Sequence, residues 1–293
     1  HNKKNPKRFI YIYTLLKLFF VLKKEKPKNV ISFLTPTNIL SIVVCKLLKI
    51  RCIVSERTDA SLFSYGFIFE FLIFLLYRFS YRIVVQTKKN KKILSKKAPG
   101  KYIIIPNFIN HNFKNKPKKD FNILISVGRL NIQKGHDIAI KAFAEVNHLI
   151  PEWKFLIIGE GSERNNLLKL IEQLELKDKV FLKGQIENVF ETINKSSIGI
   201  QISRWEGFPN SILEKMASGV PIIASKEAGY MLIKNKFNGI IVNSKNPKIV
   251  GKEIYSLISN KKLQKKLIKN GKITANKFTP ELIVPKWEKL LKK

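Results

Sequence analysis

Acid is what this chain has least of relative to its opposite: 21 Asp and Glu stand against 55 Lys and Arg, a formal net charge of +34. The imbalance points to a polyanionic partner, nucleic acid or an anionic membrane, or else to compositional drift, which a Lys-, Asn- and Ile-rich chain would also produce. No helix-turn-helix, zinc-finger or RNA-recognition signature is present, and the basic residues are spread along the chain, so no nucleic-acid partner is expected. Cys45 and Cys52 are the only cysteines. Two cysteines in apolar surroundings build neither a disulfide framework nor a metal site, and they read as reduced core residues of a cytosolic protein. The four histidines have no metal-ligand spacing, so no metal is expected. Long hydrophobic runs are missing too. Phe9–Leu22 and Phe67–Leu76 fall short of the ~18 apolar residues that a spanning helix needs, and Lys17 and Glu70 interrupt them. No secretory or transit signal is recognisable, and the chain opens on His1 without a methionine, as a fragment or processed chain would.

What remains is globular: 45% of the 293 residues are apolar, enough for two domains with two cores. Phe9–Leu22 reads as a helix apolar nearly all round. Strands are expected at Asn29–Leu34, Ile50–Ser55, Arg82–Gln86 and Tyr102–Ile105, with helices at Ile39–Lys49, Tyr65–Phe79 and Lys88–Lys97 between them. His111–Asp120 is polar, carries Pro117 and reads as a linker. The alternation then restarts, with strands at Asn122–Val127, Lys154–Ile158, Lys179–Leu182, Ser197–Ile202, Pro221–Ala224 and Gly239–Val242. Helices are expected at Asp137–Leu149, Glu163–Leu174, Glu187–Asn194 and Ala228–Lys234, and three basic ones close the chain. Strands alternating with helices imply parallel sheets built from βαβ units, with ligands at the carboxyl ends of the strands.

The most informative stretch runs from Gly199 to Glu214. A short apolar strand breaks at Glu206-Gly207-Phe208-Pro209 and restarts as a helix for which Asn210 reads as the N-cap. Such a loop offers backbone N–H donors and the positive end of a helix dipole to an anion. Glu206 and Glu214, seven residues apart between them, suit a hydroxyl-rich ligand, because an ionised carboxylate only accepts hydrogen bonds and can grip a vicinal diol. Phosphate flanked by diols describes a nucleotide sugar; two glutamates near a helix start can equally be surface charges.

The run Glu206-Gly-Phe-Pro-Asn-Ser-Ile-Leu-Glu214-Lys-Met-Ala-Ser-Gly219-Val-Pro221 resembles the donor-site signature of retaining GT-B glycosyltransferases, the group 1 glycosyl transferases, and is similar to those that build bacterial surface and lipid-linked glycans. The resemblance covers most of Asn107 to Lys272. It implies an α/β fold of two Rossmann-like doubly wound domains facing a cleft. Residues 1–110 would form an acceptor-side domain lacking its first elements, 111–120 a linker, 121–278 the nucleotide-sugar domain, and 279–293 a helix packing back toward the first domain. By motif match, Glu214 would bind the donor ribose and Glu206 the transferred sugar, while the Gly207–Asn210 loop would hold sugar or phosphate. Gly128-Arg129-Leu130 followed by Lys134-Gly135 resembles the family's diphosphate pair, so Arg129, Lys134 and Glu206 are the expected catalytic residues. Gly159 is either a tight turn or part of the nucleotide pocket; Ser203 and Trp205 would line the donor site, although Trp205 could equally pack.

In the first half, the place where many relatives carry a histidine reads Glu56-Arg57-Thr58-Asp59. Arg57 would contact acceptor pyrophosphate or pair with Glu56 or Asp59, and Asn107 would face the cleft or simply turn the chain. The resemblance implies a metal- and cofactor-independent hexosyl- or HexNAc-transferase. Its UDP-linked donor sugar would pass with retention to a lipid-linked or surface saccharide at the inner face of the cytoplasmic membrane. Apolar, aromatic helices with lysines at 3, 4, 7, 23, 24 and 26 would dock it on anionic lipid without crossing, although both helices could be core instead. The rivals are a basic nucleic-acid-binding α/β protein and a donor-binding but inactive fragment.

Overall fold

A computed structural model describes residues 6–59, 67–109 and 122–292. The expected linker lies outside them, as do Lys3, Lys4 and Tyr65. The chain divides into two compact units, residues 1–107 with 284–293, and residues 108–283.

The first unit is built on four parallel strands in the order β1 (Asn29–Phe33), β2 (Arg51–Glu56), β3 (Arg82–Val85) and β4 (Tyr102–Ile104). Ile53, Val54, Ile83, Val84 and Val85 are wholly buried, as central strands covered on both faces require. The covering helices are α1 (Pro6–Glu25), α2 (Thr35–Leu47), α3 (Phe67–Leu76) and α4 (Lys88–Lys97). Helix α2 starts four residues earlier than the sequence suggests, with Pro36 in its first turn, where a missing N–H costs nothing. The preceding residue, Leu34, takes φ 72, a left-handed conformation unusual for a leucine. Behind it lies a polar knot. The wholly buried Glu56 accepts from Thr35 Oγ1 at 2.9 Å, from Asn38 Nδ2 at 2.8 Å and from the Tyr77 hydroxyl. Cys45 and Cys52 are buried and free in the same core.

The second unit carries six parallel strands, β5 (Ile123–Val127), β6 (Lys154–Ile158), β7 (Val180–Leu182), β8 (Ile198–Gln201), β9 (Ile222–Ser225) and β10 (Ile240–Val242). Their order is β10-β9-β8-β5-β6-β7. Helices α5 (His136–Ala144), α6 (Arg164–Gln173) and α10 (Pro247–Ser259) bury one face of the sheet with Phe143, Leu167 and Ile254. Helices α7 (Val189–Asn194), α8 (Asn210–Ala217) and α11 (Lys261–Ala275) join the clusters on the other. The short α9 (Lys226–Gly229) begins before the expected Ala228 because Ser225 Oγ caps it, accepting from the Ala228 amide at 3.2 Å. Helix α12 (Pro280–Lys292) ends the chain, and its later residues belong to the first unit, where Leu291 O accepts from Asn29 Nδ2 at 3.2 Å.

The strand order reverses between β5 and β8, paired at Leu124 with Ile198 and Ile125 with Gly199. At such a switch point the two loops leave their strands in opposite directions and open a crevice at the carboxyl edge. Under one of those loops sits His136, 1% exposed, its Nδ1 3.3 Å from Ser126 Oγ; burial pushes its pKa down to about 4. A histidine kept neutral by burial stabilises the fold above its unfolded pKa, near 6.5, and that contribution is lost as pH falls toward 4. The shift is worth about 3 kcal/mol. Scanning calorimetry should therefore show a melting temperature that drops between pH 6.5 and 4, with a visibly flatter profile in His136→Gln; parallel profiles would refute the assignment.

Candidate active site

Two loops supply the crevice at the switch point, and their local sequence explains how they meet. After β5 the chain passes Gly128 and Arg129, buries Leu130 and makes a single 3-10 turn over Ile132–Lys134, capped by Asn131. Gly135 follows at φ 64, where a Cβ would lie 2.0 Å from the carbonyl oxygen of Ile202. Only glycine lets the two loops approach that closely. The Lys134 stem lies across Gly128, so near that a Cβ there would meet it at 3.1 Å. Its ammonium then donates to Glu206 Oε1 at 2.7 Å.

Glu206 comes from the loop after β8 and is held on a relay of buried polar groups. Ser203 Oγ donates to the same Oε1 at 2.7 Å, Gln201 Nε2 donates to Ser203 Oγ at 2.8 Å, and Ser211 Oγ donates to Gln201 Oε1 at 2.7 Å. Ser225 Oγ fixes the Ser203 carbonyl at 2.7 Å. The loops are also stitched by Arg204, whose guanidinium meets both oxygens of Asp137 at 2.9 and 2.7 Å. Burial alone would raise the Asp137 pKa, but the hydrogen bonds and charge of Arg204 outweigh it and hold the carboxyl below its ordinary value. Gln133 Nε2 donates to the Trp205 carbonyl at 3.0 Å, and the Trp205 residue is half-buried.

Glu214 lies on α8, half-buried, its pKa raised by burial against the opposing charges of Lys215 and Lys134. Beneath it Lys215 is 0% exposed, its Nζ 3.3 Å from the Ser211 carbonyl. Gly199 leaves room for that side chain, and burial pulls the amine down to about 7. Among the described residues no cluster of His, Cys, Asp or Glu is arranged to hold a metal ion.

The structure thus brings Lys134, Ser203 and Glu206 into contact and sets Glu214 within electrostatic reach of Lys134. Arg129 is exposed and engages none of them. Gly159, at φ 139, is a tight turn: its amide donates to the Gly184 carbonyl at 2.8 Å, and a Cβ would fall 2.1 Å from the Gly128 carbonyl oxygen, so it lies directly against the cation-bearing loop. Two expectations are corrected. Asn210 is not the N-cap of α8; Pro209 occupies that position with no side-chain hydrogen bond, since the Glu-Gly-Phe-Pro turn enters the helix one residue sooner. The Phe208 side chain is buried, its ring 5.7 Å from that of Phe278, so only its backbone faces the loop. Gly207 is half-buried in the same loop. Arg57 and Asn107 lie in the first unit and touch each other, Arg57 Nη1 donating to Asn107 Oδ1. Gln201, Ser211 and Lys215 were not anticipated; the signal was a polar residue closing an apolar strand and a lysine inside the apolar run Ile-Leu-Glu-Lys-Met-Ala.

A profile of the glycosyl transferases group 1 family matches residues 107–274, more than half of the chain. The chain belongs to that family. An uncharacterized glycosyltransferase of Methanocaldococcus jannaschii is 30% identical over 255 residues, covering 76% of this chain and 63% of the relative. The UDP-Gal:alpha-D-GlcNAc-diphosphoundecaprenol alpha-1,3-galactosyltransferase of Escherichia coli is 27% identical, covering 78% of this chain and 66% of the relative. The chain therefore spans a little under two thirds of either. Among solved structures, Anabaena HepE in complex with UDP-glucose superposes with a TM-score of 0.86 at 16% identity, over 95% of this chain and 81% of that one. The fold is that of the GT-B glycosyltransferases, α/β with parallel Rossmann-like sheets. As a test of the loop geometry, Gly135→Ala should destabilise the protein by upwards of about 1 kcal/mol, because alanine there meets both a left-handed φ and the Ile202 carbonyl. A urea unfolding midpoint equal to that of the parent would show that the loops are not locked in this way.

Proposed function

We propose that this group 1 glycosyl transferase moves a hexose or N-acetylhexosamine from a UDP-linked donor, with retention, to a lipid-linked or surface saccharide, without a metal. The observation that carries the reading is the Lys134–Glu206–Ser203 contact at the switch point, with Glu214 alongside. Arg129 and Lys134 would neutralise the donor diphosphate as its charge grows on departure, and that is stabilisation aimed at the transition state. Glu214 would accept from the ribose diol and Glu206 from a hydroxyl of the transferred sugar, with the Gly207–Asn210 loop holding sugar or phosphate through the amides of Gly207 and Phe208. No side chain is assigned as nucleophile; the departing diphosphate would take the acceptor proton, and the protein would contribute orientation and charge. The donor base and the lipid-linked acceptor follow the Escherichia coli relative, whose name carries both.

The acceptor class also gives a use to the surface of the first unit. Helices α1 and α3 meet at Tyr11 and Phe69, ring centroids 6.3 Å apart, and both leave large apolar side chains exposed, among them Ile10, Tyr13, Phe20, Phe71 and Phe74. No helix among the described residues is long and apolar enough to cross a membrane. An apolar face flanked by Lys17, Lys23, Lys24 and Arg78 suits binding in the interface of an anionic leaflet at the cytoplasmic face.

Two measurements test these parts separately. Glu214→Ala should weaken calorimetric UDP-sugar binding by roughly 1.5–3 kcal/mol, while Arg129→Ala and Lys134→Ala should depress kcat more than stability. Unchanged nucleotide affinity in folded Glu214→Ala would remove the ribose assignment. In flotation, the protein should rise with anionic vesicles at low salt and lose much of that binding with neutral vesicles or high salt. Its absence from the anionic fraction would sink the docking surface.

A further inference from the structure

Among the described residues Arg57 has no counter-ion, and it is held still. Its guanidinium lies 4.9 Å from the ring centroid of Phe33 and 5.8 Å from that of Trp287, whose own centroids are 6.1 Å apart. Its Nη1 donates to Asn107 Oδ1, and the same oxygen accepts from Gln86 Nε2 at 2.5 Å, so a neutral amide fixes the plane of the guanidinium. The residue is half-buried, and burial lowers its pKa. Neither acid nearby in sequence serves it. The Glu56 carboxyl is turned into the core, where Thr35, Asn38 and Tyr77 donate to it, and burial raises its pKa. Asp59 is bonded by Lys89 Nζ at 3.1 Å. Among the described residues no carboxylate pairs with Arg57.

A partly desolvated guanidinium is ordinarily paired, because removing its hydration without replacement is costly. Among the described residues only one of its five donors is engaged, and the fork geometry matches two oxygens of a phosphate. The position is also that of a ligand. Arg57 follows β2, Phe33 ends β1, Gln86 follows β3 and Asn107 comes just after β4, so all four strands of the parallel sheet deliver a group to the same carboxyl edge. Beside the guanidinium, Phe33 is 43% and Leu34 53% exposed, and Leu34 keeps its φ of 72. Exposed apolar side chains on a strained turn next to a fixed cation fit a phosphate that carries a hydrocarbon chain better than a free ion.

We propose that Arg57, clamped by Phe33 and Trp287 and oriented by Asn107 and Gln86, is a binding site in the first unit for the diphosphate of a prenyl-linked acceptor. Naming the ligand as acceptor rests on the lipid-linked substrate proposed above; the oxyanion site stands on the cradle itself. Phe33 and Leu34 would carry the first isoprene units, and Trp287 would keep the guanidinium from swinging to solvent.

The test uses the full chain, first saturated with UDP so that the nucleotide site of the second unit is filled, and then titrated calorimetrically with geranyl diphosphate or inorganic pyrophosphate. Geranyl diphosphate is expected to bind, severalfold more tightly than pyrophosphate. Arg57→Gln should weaken it by roughly tenfold or more, the loss expected for a charge-assisted hydrogen bond. Arg57→Lys, which keeps the charge but neither stacks nor forks, should lose severalfold and serves as the readout if the glutamine variant fails to fold. UDP affinity should be the same in all three proteins. Unaltered geranyl diphosphate affinity in a folded Arg57 variant overturns the site, and equal affinity for pyrophosphate overturns the lipid source while leaving a site for free phosphate. A parent chain that binds geranyl diphosphate but not UDP would count against the donor reading and leave this one standing.

Discussion

The contact on which the second unit depends is the 2.7 Å bond between Lys134 and Glu206, two charges from opposite sides of the switch point, both largely withdrawn from water. Burying such a pair is favourable only when geometry is good and the remaining lone pairs are satisfied. Ser203, Gln201 and Ser211 meet that condition in series, each holding the next, and Gly135 and Gly128 permit the approach that brings the ammonium within reach. Removing one partner would leave the other charge uncompensated, so the pair doubles as a registration device between two loops that otherwise leave the sheet in opposite directions. With Glu214 and the buried Lys215 included, two carboxylates face two amines. Arg129 is exposed and, among the described residues, forms no ion pair with the acids of this cluster.

The alternation of strands and helices was readable because parallel strands covered on both faces are near-continuous apolar runs, and Ile123–Val127, Lys154–Ile158 and Val189–Asn194 stand close to where periodicity puts them. Element ends were less legible. The start of α2 depends on Pro36 tolerating a first turn behind a left-handed Leu34, and the start of α9 on a Ser225 hydroxyl, both decided by a few atoms. The order of the strands is not written in any local pattern. It took the sheet to show why Gly128–Gly135 and Ser203–Asn210, some 70 residues apart in sequence, form one place.

Within the site, the residues legible in the sequence were those with a distinctive spacing. Glu206 and Glu214 flank a turn that few other contexts would require, and Arg129 and Lys134 follow a strand and precede a glycine. The supporting layer was hidden, because Gln201, Ser211 and Ser225 are ordinary polar residues until packing buries them. Asn210 misled for the same reason. A good capping side chain at a helix start is a propensity, and the turn geometry assigned the cap position to Pro209 instead. Arg57 and Asn107 were visible only as two polar residues 50 positions apart; the rings of Phe33 and Trp287 that give the arginine its orientation come from opposite ends of the chain.

With 55 basic and 21 acidic residues, a cation lacking a carboxylate partner is the ordinary condition of this chain and carries no meaning alone. What separates cations is how much of their freedom has already been removed. Lys89, Lys134 and Arg204 are tied to Asp59, Glu206 and Asp137. Arg129 is exposed, and an exposed arginine gives up rotamer freedom on meeting an anion, a loss set against any affinity gained. Arg57 has surrendered that freedom in advance, to two rings and an amide, without surrendering its charge. Fixing a long side chain without a neutralising partner costs stability in the absence of ligand. On the proposed reading the two arginines would capture an anion in different ways, Arg129 ordered by its ligand and Arg57 ordered before it arrives.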